Sequence, residues 1–145
     1  MSTTAHPATA SGLVTRALTG ALAGIGGGIV FGMLMAMMGM LPMVAGLVGS
    51  ESAAVGGLVH LVISAGLGAL FGLVAPAAGL GVVLGAGAVY GMVWWVLGPL
   101  VIMPAWLGMP LFTLDQTALM SLMGHVIYGL VTAAVLFGLR RVARA

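Results

Sequence analysis

Apolar residues in this chain run on for twenty positions and more, broken only where Pro, Gly, Ser or an acid collects. They do not alternate with polar residues as in a half-buried strand, nor return every third or fourth place as on a water-facing helix. Runs of this length predict membrane-crossing helices. Four can be drawn, over residues 17–41, 53–75, 80–103 and 117–139. The turn Ala75-Pro76-Ala77-Ala78-Gly79 separates the second from the third with the residues that stop one helix and start another. Residues 1–14, rich in Ser, Thr, Ala and Pro, read as a mobile N-terminal tail. The first run is too long for a signal peptide and has a counterpart later in the chain, so it is kept as a span.

That counterpart suggests duplication. Gly28-Ile29-Val30-Phe31-Gly32-Met33 matches Gly87-Ala88-Val89-Tyr90-Gly91-Met92, and Gly39 then matches Gly98. Leu41-Pro42 matches Met103-Pro104, and Gly46 matches Gly108. His60 and His125 follow Glu51 and Asp115 by nine and ten residues, and Phe71-Gly72-Leu73 matches Phe137-Gly138-Leu139 with a one-residue slip. The expected architecture is an all-α, integral membrane four-helix bundle built from two parallel two-helix repeats, a first hairpin over 15–76 and a second over 77–145. Two spans per repeat insert both copies the same way round, about an axis along the membrane normal.

Composition agrees. With 62% hydrophobic and 4% charged residues and a mean hydropathy of +1.29, the chain cannot cover a water-soluble surface. It has no Cys, which excludes disulfides, thiolate metal sites and thiol catalysis. All four basic residues are Arg, so Schiff-base and phosphate-loop lysines are absent. The sequence pI of about 10.0 reflects a net charge of only +2 and points to orientation at a membrane, not to nucleic acid. Arg16 precedes the first span, and Arg140, Arg141 and Arg144 follow the last. The positive-inside rule then places both termini in the cytoplasm, and abundant Gly and Ala fit a bacterial plasma membrane.

Gly20, Gly24, Gly28 and Gly32 form a stripe down the first span, a pattern that lets helix backbones approach closely. The second span carries Gly56, His60, Ser64, Gly68 and Gly72 at the same spacing, and the fourth carries Ser121, His125, Gly129 and Ala133. Both histidines are therefore expected on packed faces. The stripe reads first as packing, and otherwise as a groove for a flat cofactor.

Three readings stand for the histidines. They are buried ties bonded to a carbonyl, to Ser64 or to Tyr128; or a proton or ion path with Glu51 and Asp115 at the mouth; or the two axial ligands of a haem b. Zinc would need further ligands that only carboxylates could supply. Met33, Met37 and Met40 share a helix face, suited to core packing or, less simply, to Cu(I). Trp94, Trp95, Trp106, Phe112 and Tyr128 suggest an interfacial belt. The apolar loop from Pro99 to Pro110 is expected to dip into the interface or to meet a partner protein. No serine-hydrolase, zinc-protease or dinucleotide-binding motif is present, so no enzyme is expected.

The stretch from Gly87-Ala88-Val89-Tyr90 through Pro99 and Pro104 to Gly124-His125-Val126-Ile127-Tyr128 resembles the YagU-type family of small bacterial inner-membrane proteins. The likeness covers mainly the second half; this chain is shorter and lacks a polar insert in its first half. It implies proton-related or structural roles for His60 and His125 and supplies no catalytic residues. The combined expectation is a small accessory subunit or proton and ion pathway, in contact with the lipid bilayer. It would act as a homo-oligomer or within a larger membrane complex, with a haem-binding anchor and a purely structural subunit as alternatives.

Overall fold

A chain segment in hydrocarbon has no water to satisfy its backbone N–H and C=O groups, and a helix is how a single segment bonds them internally. The computed structural model describes residues 10–143, which are helical with no strand. Helix α1 (Ala10–Met37) is followed by short α2 (Leu41–Ala45), one tight turn over Gly46–Val48, and α3 (Ala53–Val74). Helix α4 (Leu80–Leu97) runs through a wider π-type turn, Gly98–Ile102, into short α5 (Met103–Leu107), and α6 (Gln116–Val142) closes the fold. Four helices, with α4 and α5 taken as one, are long and apolar enough to cross a membrane. The protein is an all-α bundle of four such helices, with lipid-facing positions such as Leu18, Val62, Val82 and Leu119 exposed.

Helix α1 begins at Ala10, so positions 10–14 of the expected tail are helical. Positions 1–9, and Arg144 with the last residue, lie outside the described residues. The first span is shifted toward the N-terminus of its expected range, because Met38 and Gly39 turn the chain and Gly39 adopts φ +67°. The third runs beyond its expected end at 103, because the π-type turn absorbs Pro99 without ending the helical path.

The two hairpins repeat one order of parts: long helix, short proline-bearing helix, left-handed glycine, capped long helix. Pro42 and Pro104 sit in the first turns of α2 and α5. Gly49 and Gly108 follow at φ +71° and +68°, where a side chain would be strained. Ser52 Oγ then accepts from Val55 N, and Asp115 Oδ1 from Ala118 N, capping α3 and α6. The residue that answers Asp115 is thus Ser52, not Glu51.

Helices α1 and α3 pack antiparallel, backbone against backbone. A Cβ on Gly20 would lie 2.7 Å from Gly72 Cα, and one on Gly24 would lie 2.6 Å from Gly68 Cα. One on Gly28 would collide with Ser64, and one on Gly32 would lie 3.2 Å from His60 Cδ2. The glycines of one helix thus meet the small residues and the histidine of the other in strict order. Gly87 of α4 meets Gly129 and Ala133 of α6 likewise, whereas Gly91 meets the backbone carbonyl of His125 and not its ring. Burial aligns Leu136, not Phe137, with Phe71, and nothing approaches Gly138. The sequence match at Phe137-Gly138-Leu139 is therefore out of step with the packing, and the slip disappears.

The hairpins join unevenly. α1 packs along α6, where Gly27 abuts Tyr128 and Thr132, and Gly124 lies beneath the Phe31 ring. Between α3 and α4 the bridges are the Tyr90 hydroxyl, which donates to the Leu67 carbonyl at 2.7 Å, and the Tyr90 ring against Phe71. At the end where the chain turns from α3 to α4, Arg16 donates to the carbonyls of Gly72 and Leu73. Arg140 donates to Gly72, Ala75 and Pro76 there. These guanidiniums satisfy carbonyls that a helix C-terminus leaves open.

Candidate functional site: a histidine-lined chamber

The opposite half of the α3–α4 seam opens into a chamber of about 630 Å³. Its walls come from α1, α3, α4 and α6, and α2 and α5 roof it. The roof is held in place by the fold. The Leu41 carbonyl fits against Gly56, Leu107 packs beside Gly46, Leu100 is buried, and Phe112 N donates to the Leu100 carbonyl at 3.0 Å. The apolar loop 99–110 therefore folds onto its own chain, which gives its non-helical backbone the shielding it needs.

Both histidines line this chamber, on different helices. His60 is 8% exposed, and its Nε2 donates to the Gly28 carbonyl at 3.0 Å, with Ser64 Oγ at 3.5 Å. A carbonyl only accepts, so this bond places a proton on Nε2, and in the neutral imidazole Nδ1 is then the lone pair. Because Cδ2 and Nε2 face Gly32 on α1, Nδ1 is on the ring edge turned away from that helix. His125 is half-buried, and its Nδ1 donates to the Ser121 carbonyl at 2.7 Å, which leaves its Nε2 as the lone pair. That atom lies toward Gly98, another chamber residue.

Phe31 lies against both rings. Its centroid is 5.2 Å from that of His60 and 4.9 Å from that of His125, both edge-on. The nitrogens not bonded to carbonyls are His60 Nδ1 and His125 Nε2. No group of three or more His, Cys, Asp or Glu gathers among the described residues.

Of the other expected site residues, Ser64, Tyr128 and Asp115 line the chamber and exposed Glu51 does not. The Tyr128 hydroxyl donates to the Ser64 carbonyl at 2.7 Å and ties α6 to α3. Met33 and Met37 do not share a buried face with Met40: they are 56% and 84% exposed, whereas Met40 is buried. The chamber methionines are Met35, Met40, Met43, Met103 and Met109. Their helix-face spacing could not be read because four of them lie in turns, loops or the short helices α2 and α5.

The aromatic group divides in the same way. Trp106 and Phe112 are exposed as a belt would be. Trp94 lines the chamber, and Trp95 Nε1 donates to the Ala118 carbonyl at 2.8 Å and to Ser121 Oγ at 3.1 Å. Phe31, Gly27, Gly91 and Gly124 were missed as site-building residues. For the glycines the only signal was small size off the main stripe, and Phe31 carried none beyond its place in the repeat.

Beyond Leu67 and Tyr128 the bundle is filled. Ala23, Phe71, Val83, Ala133 and Leu136 form one buried cluster. The chamber is blind on that side. No protein-family model, curated protein or solved structure matches the chain.

Proposed function

We propose that this chain is a small non-enzymatic integral membrane protein, an accessory subunit whose working part is the blind chamber around His60 and His125. The observation that carries this reading is the placement of both histidines, from different helices, on one chamber that ends inside the bundle. Ionisable groups within membrane spans are costly and mark functional positions. A pore would need polar groups to continue through the bundle; past Tyr128 comes the buried Thr132 hydroxyl, and beyond it stand apolar Phe71, Val83 and Leu136.

The remaining parts of the reading follow. Arg16 and Arg140 gather at the end away from the chamber, which supports cytoplasmic termini and an outward chamber in a bacterial plasma membrane. Duplication of one hairpin is supported by corresponding residue pairs, Gly32 beside the His60 ring and Gly91 against the His125 backbone. Kinship with YagU-like proteins remains part of the proposal.

The second reading is a proton route completed by a homo-oligomer or a larger complex. Asp115, which lines the chamber with both histidines, favours it. Proton flux into liposomes carrying the purified chain, followed with a trapped pH dye, separates the two. The accessory reading expects the leak of empty vesicles. A leak that His60→Ala or His125→Ala abolishes would overturn it in favour of the proton route.

A further inference from the structure

We propose that the chamber binds a neutral, lipid-soluble alcohol or phenol, with the hydroxyl at the histidines and the apolar body reaching the bilayer through the α3–α4 seam. This inference rests on the chamber being the working part of the protein and names the chemistry of its ligand.

The polar groups set the head. Each imidazole has its N–H committed to a backbone carbonyl, Gly28 for His60 and Ser121 for His125. The hydroxyls of Ser121 and Tyr128 are likewise donated inward, to Ala118 and Ser64 carbonyls. What the imidazoles offer a guest is therefore a lone pair, and the complementary group is a hydrogen-bond donor. A protonated amine would donate too, but it would bring a charge into walls that hold neutral imidazoles. The one nearby carboxylate, Asp115, is exposed at the start of α6, ten residues before His125 and so about 15 Å away along the helix. An unpaired buried charge is far more costly than a hydroxyl. A lone cation is a poor fit for another reason: the chamber of about 630 Å³ is of organic-ligand size, and no group of three or more His, Cys, Asp or Glu gathers among the described residues.

The walls set the body. Methionines dominate the apolar part, and their flexible thioethers adapt to varied shapes. Ile63 of α3 and Ile102 after α4 both line the chamber and are 41% and 53% exposed, so the chamber has a side window between those helices. Farther along the same seam, a shallow apolar groove between Phe71 and Val89 continues past the Tyr90 bridge. A molecule dissolved in lipid reaches the histidines by this window without crossing water.

The test compares 4-decylphenol with its methyl ether, 4-decylanisole, which has the same body and no donor. The full chain is held in nanodiscs, and binding is read by calorimetry. The side-chain ¹⁵N signals report on the ligand directly, because the chain has only three histidines. The phenol is expected to bind about tenfold more tightly than the ether, as one added hydrogen bond gives, and to shift the signal of the unprotonated nitrogen of His60 or His125. Ile63→Trp, which narrows the window from a partly exposed position, is expected to weaken the phenol while leaving the helical fold intact. Equal binding of phenol and ether overturns the donor-head assignment and leaves the chamber as a binding site. Binding of neither, by folded protein, overturns both. Phenol preference with no ¹⁵N shift at either chamber histidine overturns the assignment of the hydroxyl to the imidazoles.

Discussion

The α1–α6 seam is closed and the α3–α4 seam is open, although both join one hairpin to the other. If the chain is a duplicated hairpin, as we propose, these seams descend from the same contact. The difference then lies in a few side chains. Where α1 has Gly27, α4 has Ala86; where α6 has Gly124 and Thr132, α3 has Val59 and Leu67. In a membrane, helices associate through close packing rather than water exclusion. The glycines let α1 and α6 meet, and Phe31 lies over Gly124. Val59 packs on the Phe31 cluster, Leu67 lines the chamber, and Tyr90, the counterpart of Phe31, reaches across to the Leu67 carbonyl. A small difference in side-chain volume thus produces a sealed seam on one side and a chamber on the other.

The largest break in this contrast is Gly27→Leu. A Cβ there would already lie 2.8 Å from the Tyr128 carbonyl oxygen. Overpacking against backbone is expected to cost about 3 kcal/mol or more, read as loss of the folded bundle in a detergent-unfolding titration. Phe31→Ala empties the space between the histidines and the surface of Gly124. It is expected to cost about 3 kcal/mol by the same titration. If the bundle loses no stability, Phe31 is not the wedge of the closed seam.

Smaller changes sharpen the picture. Tyr128→Phe removes the hydrogen bond to the Ser64 carbonyl, and an interhelical bond of this kind is worth about 0.6–1.7 kcal/mol. Ala86→Leu, at the counterpart of Gly27 on the open seam, points toward the shallow groove. Ala86 is half-buried at the edge of the core, so the change is expected to cost about 1 kcal/mol, and a cost near that of Gly27→Leu would mean the seam is not open. Protein purified from membranes grown with haem available is expected to show no Soret band, since the Phe31 ring lies against both imidazoles and His60 Nε2 is bonded to the Gly28 carbonyl. A reduced-minus-oxidised haem spectrum would contradict that placement.

Much of the fold was legible in the order of residues. Long apolar runs marked the spans, because hydrocarbon accepts only internally bonded backbone. The four-residue stripe from Gly20 to Gly32 foretold the α1–α3 contact, and the spacing of His60 from Ser64 and Gly68 placed that histidine on it. The unequal seams were not legible. Gly27 and Gly124 look like any others among the 25 glycines, and only the tertiary fold shows what faces them. Met40, Met43, Met103 and Met109 were hidden for a related reason: helix periodicity says nothing about residues delivered by turns and short roof helices. Glu51 was paired with Asp115 by type, whereas the helix termini pair Ser52 with Asp115 by role, since a hydroxyl and a carboxylate can each accept from a first-turn N–H.

The difference between the seams is tested most directly by engineered disulfides, which a chain without cysteine allows cleanly. A Cβ at Gly26 lies 3.5 Å from the Val135 side chain across the closed seam, so Gly26→Cys with Val135→Cys is expected to cross-link readily under mild oxidation. Leu67→Cys with Tyr90→Cys, across the gap that a full tyrosine bridges, is expected to stay reduced and to join only through a longer bismaleimide. Equally fast disulfide formation in both pairs would mean that the seams are alike and that no chamber stands between α3 and α4.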